Sequence, residues 1–351
     1  MKIFFSSFIF CIFLSFILTS CDQPAPNEYG LVWEDEFNGS TLDNSKWTHQ
    51  LGDGSQFGLW GWGNGELQYY KQENTTLADG VATITVKEES VGDYNYTSSR
   101  ITTKDKFSFR YGKVEARIKT VDGQGFWPAF WLLPEGGEWP CDGEIDIMEQ
   151  WGNNYLTNST TGAAHIGSCP YSQSTHFYQN FSSYISNGSY ADEFHTYSII
   201  WKEDTITWFV DDEEMFQITP SSYFSIPSQH NWPFNSNNWF IIINLAITQT
   251  GPNTNTVFPN NIQIDYVKVY QENSTSVNQY TSVSSFDFSD NIITFDSDKY
   301  KSIKLLDIGG KYLSIYSEKN KINTKDLSRG IYIIQSIDMD GISSYHKIVI
   351  N

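Results

Sequence analysis

Three carboxylates within six residues are the feature of this chain best suited to chemistry: Glu144, Asp146 and Glu149, separated by isoleucine and methionine side chains. In an extended strand alternate side chains lie on the same face, so Glu144 and Asp146 point the same way. Ile145 and Ile147 then point the other way, into a core.

Strict alternation would turn Glu149 towards the apolar layer, where an unpaired carboxylate is costly. One extra residue, a β-bulge around Ile147 and Met148, returns Glu149 to the face of the other two acids. Bulges are frequent next to active sites because they re-aim a side chain in this way. The pattern therefore predicts an acidic row on one face of a bulged strand.

Two carboxylates on either side of a sugar bond are the groups that hydrolyse glycosides. In enzymes that retain anomeric configuration they lie roughly 5–5.5 Å apart, whereas four steps along a flat strand separate Cα atoms by about 13 Å. The strand must therefore be concave and line a curved cleft. The charge of Asp146 would keep a neighbouring acid protonated near neutral pH. An acidic solvent-facing strand or a calcium loop is the alternative, although calcium loops favour Asp, Asn and Gly.

The segment Gly-Glu-Ile-Asp-Ile-Met-Glu, which ends at Glu149, resembles the signature of glycoside hydrolase family 16 in its bulged form. The resemblance extends over about residues 31–271. It implies that Glu144 is the nucleophile, that Glu149 is the acid/base and that Asp146 tunes the pair. It also implies a β-jelly-roll, whose concave sheet would supply the required curvature, and catalysis without a cofactor.

Trp127 and Trp131 lie on one face of the preceding strand-like segment, and Phe126, Phe130 and Leu132 lie on the other. The second face is typical of a core. The first offers flat apolar surfaces on which a pyranose ring packs. Tryptophan in a β-sandwich is more often part of the core, but its position just before the acids and the family resemblance favour substrate binding.

Three further substrate-binding residues follow from the resemblance to laminarinase-like members of the family. Asn64, in Gly-Trp-Gly-Asn-Gly-Glu, matches a loop asparagine that contacts sugar, although asparagine between glycines is also typical of a turn. Arg100 matches a position that hydrogen-bonds sugar, and an exposed strand arginine is the alternative. His165 matches a histidine beside the acids, and a purely structural histidine is the alternative.

The resemblance also implies a structural Ca²⁺ site away from the cleft, with a stabilising role. The matching positions are Glu36, Gly80 and Asp265. Carboxylate and carbonyl oxygens suit calcium, although Asp265 is otherwise an ordinary polar strand residue. One departure from the family is Ile247 to Gln249, where laminarinase-like members usually have a Gly-Gly pair. These bulkier side chains would reshape one end of the cleft.

Strand-like segments rich in β-branched and aromatic residues recur along the chain, with turn residues between them and no sustained helical periodicity. Examples are residues 31–37, 81–88, 111–120, 197–201, 205–210, 239–246 and 262–271. The fold class predicted is all-β: a β-jelly-roll sandwich over residues 28–272, followed by a small C-terminal β-sandwich.

The N-terminal residues 1–20 predict a secretory signal peptide, with Lys2 followed by a short apolar run. Leu-Thr-Ser-Cys at 18–21 resembles a bacterial lipobox, which implies a lipid anchor on Cys21; the alternatives are ordinary signal cleavage and a retained membrane helix. Cys141 and Cys169 form an even pair in an exported chain, so a disulfide and two buried thiols are both open.

Beyond residue 272 the composition changes: all 12 Trp lie before that point, and residues 273–285 are polar and typical of a linker. Residues 286–351 have their own strand pattern. Their end, with Gly330-Ile-Tyr332 and His346-Lys-Ile-Val-Ile, resembles the C-terminal sorting domain of the type IX secretion system. A carbohydrate-binding module is the alternative, but this segment has no Trp to stack on sugar.

The formal charge of −19 argues against nucleic acid and anionic membranes as partners. The sequence therefore predicts an exported, monomeric, retaining endo-β-1,3-glucanase of the cell surface or medium, acting on laminarin-type β-glucan, with secretion machinery as a second partner. The alternatives are a family enzyme for mixed-linkage glucan, agar or porphyran, and a non-catalytic surface protein that binds glycan.

Overall fold

A computed structural model describes residues 29–152, 158–222 and 232–273, and then 286–289, 292–296, 298–307, 311–316, 321–324, 327, 330–339 and 343–350. The chain divides into two units, residues 1–273 and residues 274–351. The predicted signal peptide, Cys21 and almost all of the predicted linker lie outside the described residues.

Strands dominate both units. In the first unit they are β1 (Tyr29–Asp35), β2 (Thr48–His49), β3 (Gln68–Tyr70), β4 (Thr75–Ala78), β5 (Val81–Val91), β6 (Tyr94–Ser98), β7 (Arg100–Thr102), β8 (Gly112–Lys119), β9 (Phe126–Pro134), β10 (Glu144–Glu149), β11 (Ser159–Ile166), β12 (Phe177–Tyr184), β13 (His195–Lys202), β14 (Thr205–Val210), β15 (Glu213–Ile218), β16 (Trp239–Ile247) and β17 (Asn260–Glu272). Short 3-10 turns occur at Ser55–Phe57, Trp60–Gly63, Gln72–Asn74, Gln173–Thr175 and Pro233–Asn235. Each strand segment predicted from the sequence coincides with an observed strand.

Two sheets pack face to face in the first unit. The ten-stranded sheet has the order β15-β14-β13-β8-β17-β5-β6-β3, with β1 also paired to β17 and β4 to β5. The seven-stranded sheet has the order β12-β11-β10-β9-β16-β7-β2. This two-sheet architecture confirms the predicted all-β jelly-roll class. The acidic strand β10 lies in the seven-stranded sheet, with β9 on one side and β11 on the other.

The core lies between the two sheets and follows the two-residue period of each strand. In β5, for example, Ala82, Ile84 and Val86 are fully buried while the threonines between them are only partly so. Four tryptophans are among the largest fully buried side chains: Trp47, Trp201, Trp208 and Trp239. Burial of large aromatic side chains on this scale is a major source of stability.

The second unit is described by itself. Its strands are β18 (Phe286–Ser289), β19 (Ile292–Phe295), β20 (Tyr300–Asp307), β21 (Tyr312–Tyr316), β22 (Lys321–Asn323), β23 (Gly330–Asp338) and β24 (Ser343–Ile350). They form one sheet of order β18-β19-β22 and another of order β21-β20-β23-β24. A small apolar core includes Ile303, Leu305, Ile322 and Ile334. Among the residues described in either unit, no helix is long and apolar enough to cross a membrane.

Candidate active site

The predicted bulge is present in β10. Against β9, Asp146 pairs with Trp131 and Met148 pairs with Phe130, so two steps on β10 match one step on β9. Against β11 the register also shifts between Asp146 and Glu149. Ile145, Ile147 and Met148 are buried in the core, and the three carboxylates lie on the outer face of the seven-stranded sheet.

A hydrogen bond from the opposite layer holds the bulge, and two glycines beside it leave room for neighbouring rings. The indole nitrogen of Trp208, on β14 of the ten-stranded sheet, donates a hydrogen bond of 2.8 Å to the main-chain oxygen of Asp146. A Cβ on Gly162 of β11 would lie 2.8 Å from the Trp208 ring, so only glycine leaves room for it. At the start of the strand Gly143 has φ of 88°, and a Cβ there would lie 2.9 Å from the ring of Trp239.

The three carboxyl groups are poorly solvated. Burial and the charge of Asp146 raise the pKa of Glu144 to about 8, while His165 and Arg100 act in the opposite direction. Burial and the same charge raise the pKa of Glu149 to about 8. Burial raises the pKa of Asp146 as well. Each negative charge disfavours ionisation of its neighbours, and the cation Arg100 favours the ionised form of Glu144.

Trp127 contacts the last carboxylate of the row. Its indole nitrogen donates a hydrogen bond of 2.9 Å to Oε1 of Glu149, and this bond lowers the pKa that burial raises. The ring of Trp127 stacks on that of Trp151 with centroids 4.4 Å apart. Trp127 therefore both presents an apolar surface beside the acids and fixes the orientation of Glu149.

His165 contacts the other two carboxylates. It pairs with Glu144 across β10 and β11, and its Nε2 lies 3.0 Å from Asp146 Oδ2 and 3.9 Å from Glu144 Oε1. Its Nδ1 lies 2.9 Å from Nε2 of His176, so one ring donates a hydrogen bond to the other. Burial and the neighbouring His165 lower the pKa of His176. This histidine contact was not foreseen, since His176 lies in a loop with no distinctive motif.

Trp131 is anchored by a buried chain of hydrogen bonds. Its indole nitrogen donates to Oδ1 of Asn244 at 2.8 Å, and the Asn244 amide donates to the Tyr70 hydroxyl at 3.2 Å. The Tyr70 hydroxyl donates to Oε2 of Glu66 at 3.0 Å, and Gln68 donates to the same oxygen at 2.6 Å. Sequence reasoning missed these supporting residues, although Glu66, Gln68 and Tyr70 alternate as one face of a strand.

Arg100 is buried, with 6% of its surface exposed. Its guanidinium lies between two indole rings, 4.5 Å from the Trp62 centroid and 4.8 Å from the Trp131 centroid. Its Nε donates to Oε1 of Gln50 at 2.6 Å. Burial lowers the pKa of Arg100, and the charge of Glu66 counteracts this shift. In this arrangement the side chain supports Trp131, and its predicted hydrogen bond to sugar stays a prediction.

Asn64 is exposed in the loop before β3. Its main-chain oxygen accepts a hydrogen bond of 3.1 Å from the Gln249 side chain. Gln249 belongs to the segment that departs from the family pattern, so the two loops meet at one end of the sheet. The expected reshaping of this end of the cleft by bulkier side chains stays a prediction.

The predicted calcium residues lie apart from the acidic row, and their side chains are already paired. Oε1 of Glu36 lies 2.6 Å from Nζ of Lys268, and Oδ2 of Asp265 lies 2.6 Å from Nη1 of Arg117. A Cβ on Gly80 would lie 3.9 Å from the main-chain oxygen of Glu36. These cations compete for the carboxylates, so a calcium ion here would rely on main-chain oxygens. The metal stays a prediction.

Cys141 and Cys169 form a disulfide with Cα atoms 5.5 Å apart, which settles the choice that the sequence left open. The structure thus gathers Glu144, Asp146, Glu149, Trp127, Trp131, Arg100 and His165 on or beside one face, and leaves Asn64 at its end. A row of acids with raised pKa values next to aromatic surfaces can both donate and accept protons near neutral pH.

Comparison with known proteins agrees with this geometry. Glucan endo-1,3-beta-glucosidase A1 of Niallia circulans is 38% identical over 272 residues, which are 71% of this chain and 39% of that protein. The beta-glucanase of Rhodothermus marinus is 34% identical over 287 residues, which cover 74% of this chain and 93% of that protein. This chain thus spans well under half of the Niallia protein and nearly all of the Rhodothermus protein.

Among solved structures, the laminarinase catalytic domain from Thermotoga maritima MSB8, in complex with cetyltrimethylammonium bromide, superposes with a TM-score of 0.63. It is 35% identical and covers 70% of this chain and 99% of that one. Residues 60–268 match the family model for glycosyl hydrolases family 16, and with the bulged acidic strand this match shows that the chain belongs to glycoside hydrolase family 16.

Proposed function

We propose that this protein is a retaining endo-β-1,3-glucanase that hydrolyses internal bonds of laminarin-type glucans. The observation that carries the proposal is the acidic row on the bulged strand β10, with an aromatic hydrogen-bond donor at one end and a histidine at the other. The named activities of the Niallia and Rhodothermus relatives support β-glucan as the substrate.

In the first step the Glu144 carboxylate attacks the anomeric carbon, and Glu149 gives its proton to the leaving glycosidic oxygen. Burial and Asp146 raise the pKa of both glutamates to about 8, and Glu144 suits the nucleophilic role because Arg100 favours the ionised form of this glutamate and not of Glu149. Glu149 suits the acid role because burial and Asp146 favour its protonated form. The products of this step are a covalent glycosyl-enzyme on Glu144 and a shortened glucan with a free hydroxyl.

In the second step Glu149, now ionised, takes a proton from water, and the resulting hydroxide displaces Glu144 from the anomeric carbon. The nucleophile leaves as a carboxylate and Glu149 is protonated again, so the cycle closes. The charge of Asp146 raises the pKa of both glutamates. The three groups therefore titrate as a coupled set, and Asp146 influences the order in which the two glutamates lose protons.

The test is a product profile on laminarin, lichenan, agarose and porphyran, followed by proton NMR of the first products. We expect reducing ends from laminarin and a newly released sugar in the β configuration. An α-anomer among the earliest products would contradict the double displacement. Binding of laminarin without release of reducing ends would contradict the hydrolase and favour a glycan-binding protein.

We also propose that the protein is exported and acts at the cell surface or in the medium. The leader-like residues 1–21 support this proposal, as does the disulfide, because such bonds persist in oxidising compartments. Mass spectrometry of the mature protein tests it. An acyl group on Cys21 is expected for a lipoprotein, and loss of residues 286–351 on export is expected for a sorting domain.

A further inference from the structure

Two carboxylates of the acidic row and one imidazole lie at the spacing of ligands to a metal ion. One donor atom each of Glu144, Asp146 and His165 lie within 4.8 Å of one another. Nε2 of His165 is 3.0 Å from Asp146 Oδ2 and 3.9 Å from Glu144 Oε1. Because zinc bonds to nitrogen and oxygen are about 2.0–2.2 Å long, two donor atoms can share an ion when they are less than about 4.2 Å apart. Both contacts of His165 meet this condition.

Asp146 is the most deeply buried of the three, with 4% of its surface exposed. Within the described part of the chain its Oδ2 accepts no hydrogen bond, and the 3.0 Å contact with His165 does not have hydrogen-bond geometry. Buried carboxylates are normally paired through hydrogen bonds or coordinate a metal. This oxygen therefore has a lone pair that a cation between Asp146 and His165 would satisfy.

A second histidine orients the first. Nδ1 of His165 lies 2.9 Å from Nε2 of His176. When His165 donates this hydrogen bond, its own Nε2 carries no proton and offers a lone pair on the side of the carboxylates. Histidines that bind metals characteristically donate their other N–H to a neighbouring acceptor, which fixes the tautomer and the ring orientation. His176 gives His165 the support that a metal ligand needs.

Other candidate metal sites in the described part of the chain are weaker. Only one further group of three close donors occurs there, Glu138 with Cys141 and Cys169, and its sulfurs are joined in a disulfide. His195 also lies beside a carboxylate, 2.7 Å from Asp211, but the Asp211 side chain is 52% exposed and the pair belongs to no group of three donors. The acidic row is therefore the best-formed set of ligands.

We propose that Glu144, Asp146 and His165 bind one Zn²⁺ ion and that this ion inhibits the enzyme. Imidazole and carboxylate together suit zinc, whereas Mg²⁺ and Ca²⁺ prefer oxygen ligands alone. Three protein ligands leave a coordination position for water. Because the ion holds the Glu144 carboxylate, that group cannot attack the anomeric carbon. Zinc binding is argued from the geometry alone, and its inhibitory effect rests on the proposed function.

The experiment is a calorimetric titration of the untagged protein with zinc chloride near neutral pH. Wild type should bind one ion at this site. His165→Gln removes a ligand and should weaken zinc binding on the order of 100-fold, and His176→Gln removes only the orienting group and should weaken it about tenfold. His195→Gln is the matched control, because His195 is also a buried histidine beside an aspartate, and its zinc affinity should equal that of wild type.

The effect on catalysis is measured on the same samples. Zinc should inhibit laminarin hydrolysis by wild type with an inhibition constant equal to the calorimetric Kd, and EDTA should restore the rate. Magnesium chloride at the same concentration should leave the rate unchanged. Zinc should also raise the Tm of wild type and not that of His165→Gln, since a ligand that binds only the folded state stabilises it. Melting curves without zinc check that each variant is folded.

Two results would overturn the site: equal zinc affinity in wild type and His165→Gln, or no calorimetric binding to wild type. Zinc bound through His165 with full activity retained would overturn the inhibition. A wild-type protein that is inactive on every β-glucan without zinc would instead overturn the proposed function, and the calorimetric comparison would still decide whether the row binds metal.

Discussion

The strands on the two sides of β10 present different chemistry to the acidic row. Towards β9, β16 and β7 the side chains are buried and joined by hydrogen bonds, from Trp131 through Asn244 and Tyr70 to Glu66, with Arg100 between two indoles. We call this the buried flank. Towards β11 and β12 lies the open flank, where exposed rings such as Tyr178 contact one another.

The difference indicates two kinds of recognition in one site. On the buried flank hydrogen bonds fix the Trp131 and Tyr70 rings, so a sugar there meets a rigid surface of defined shape. On the open flank rings are fixed mainly by neighbouring rings and by one disulfide, so contacts are less directional. We expect the buried flank to decide whether catalysis proceeds and the open flank to decide how well long chains are retained.

Glu144 lies between the two flanks, and Glu144→Ser should have the largest effect on activity. Loss of the nucleophile removes a chemical step, so kcat should fall on the order of 10⁴-fold or more while oligosaccharide binding remains. Stability should not fall, because burial disfavours the ionised form of Glu144. Steady-state kinetics, calorimetric binding and thermal melting measure these effects. Glu213→Ser removes an exposed strand carboxylate and should retain full activity.

Arg100→Met tests the rigidity of the buried flank. The substitution removes the hydrogen bond to Gln50 and the charge between the two indoles, so the free energy of unfolding should fall by about 1–3 kcal/mol, and kcat/KM should fall as Trp131 loses its support. Urea denaturation measures the first effect. Arg110→Met is the matched control, since Arg110 also stacks on a ring, Tyr111 at 5.3 Å, but is exposed. Equal stability losses in the two variants would contradict the network.

Trp127→Phe separates the hydrogen bond to Glu149 from the apolar surface of the ring. Because that hydrogen bond lowers the pKa of Glu149, its loss should raise this pKa and move the alkaline limb of the kcat profile to higher pH. A roughly tenfold fall in kcat is expected. Trp131→Phe, which loses a bond to Asn244 instead, should leave the alkaline limb in place. Matching shifts in both variants would argue against the Glu149 contact.

The last prediction concerns the dependence of stability on pH. The pKa of Glu144 and that of Glu149 rise from 4.5 to about 8 on folding, so the folded protein binds more protons than the unfolded chain between these values. The free energy of unfolding should therefore be highest below about pH 4.5 for these groups and decrease as pH rises to about 8. Asp146→Asn should flatten this decrease. A steeper slope in the variant would contradict the coupling.

Several features of the site could be predicted from the sequence because they depend on strand alternation. The bulge at Ile147 and Met148 follows from the cost of burying Glu149 in the core, and the opposite faces of Trp127 and Phe126 follow from a two-residue period. Both are observed. The acidic row is determined by the order of residues within one strand, so the sequence of that segment alone is enough to predict it.

The partners of these residues depend on contacts between distant segments. Nothing near Arg100 indicates that Trp62 and Trp131 enclose it, because 38 and 31 positions of chain separate them. The same holds for His176, which reaches His165 only through the pairing of β11 with β12. Sheet order and register decide such contacts, and composition and periodicity do not determine either one uniquely.

The hydrogen bond from Trp208 to the main-chain oxygen of Asp146 links catalysis to the cooperativity of folding. Its donor belongs to the core strand β14 and its acceptor belongs to the bulge that aims Glu149. The acidic strand therefore cannot shift its register while the opposite sheet stays intact, and local opening of the surface loops leaves the carboxylates in place. Heat should abolish activity in the same transition that melts the core, while loops around the site remain free to vary.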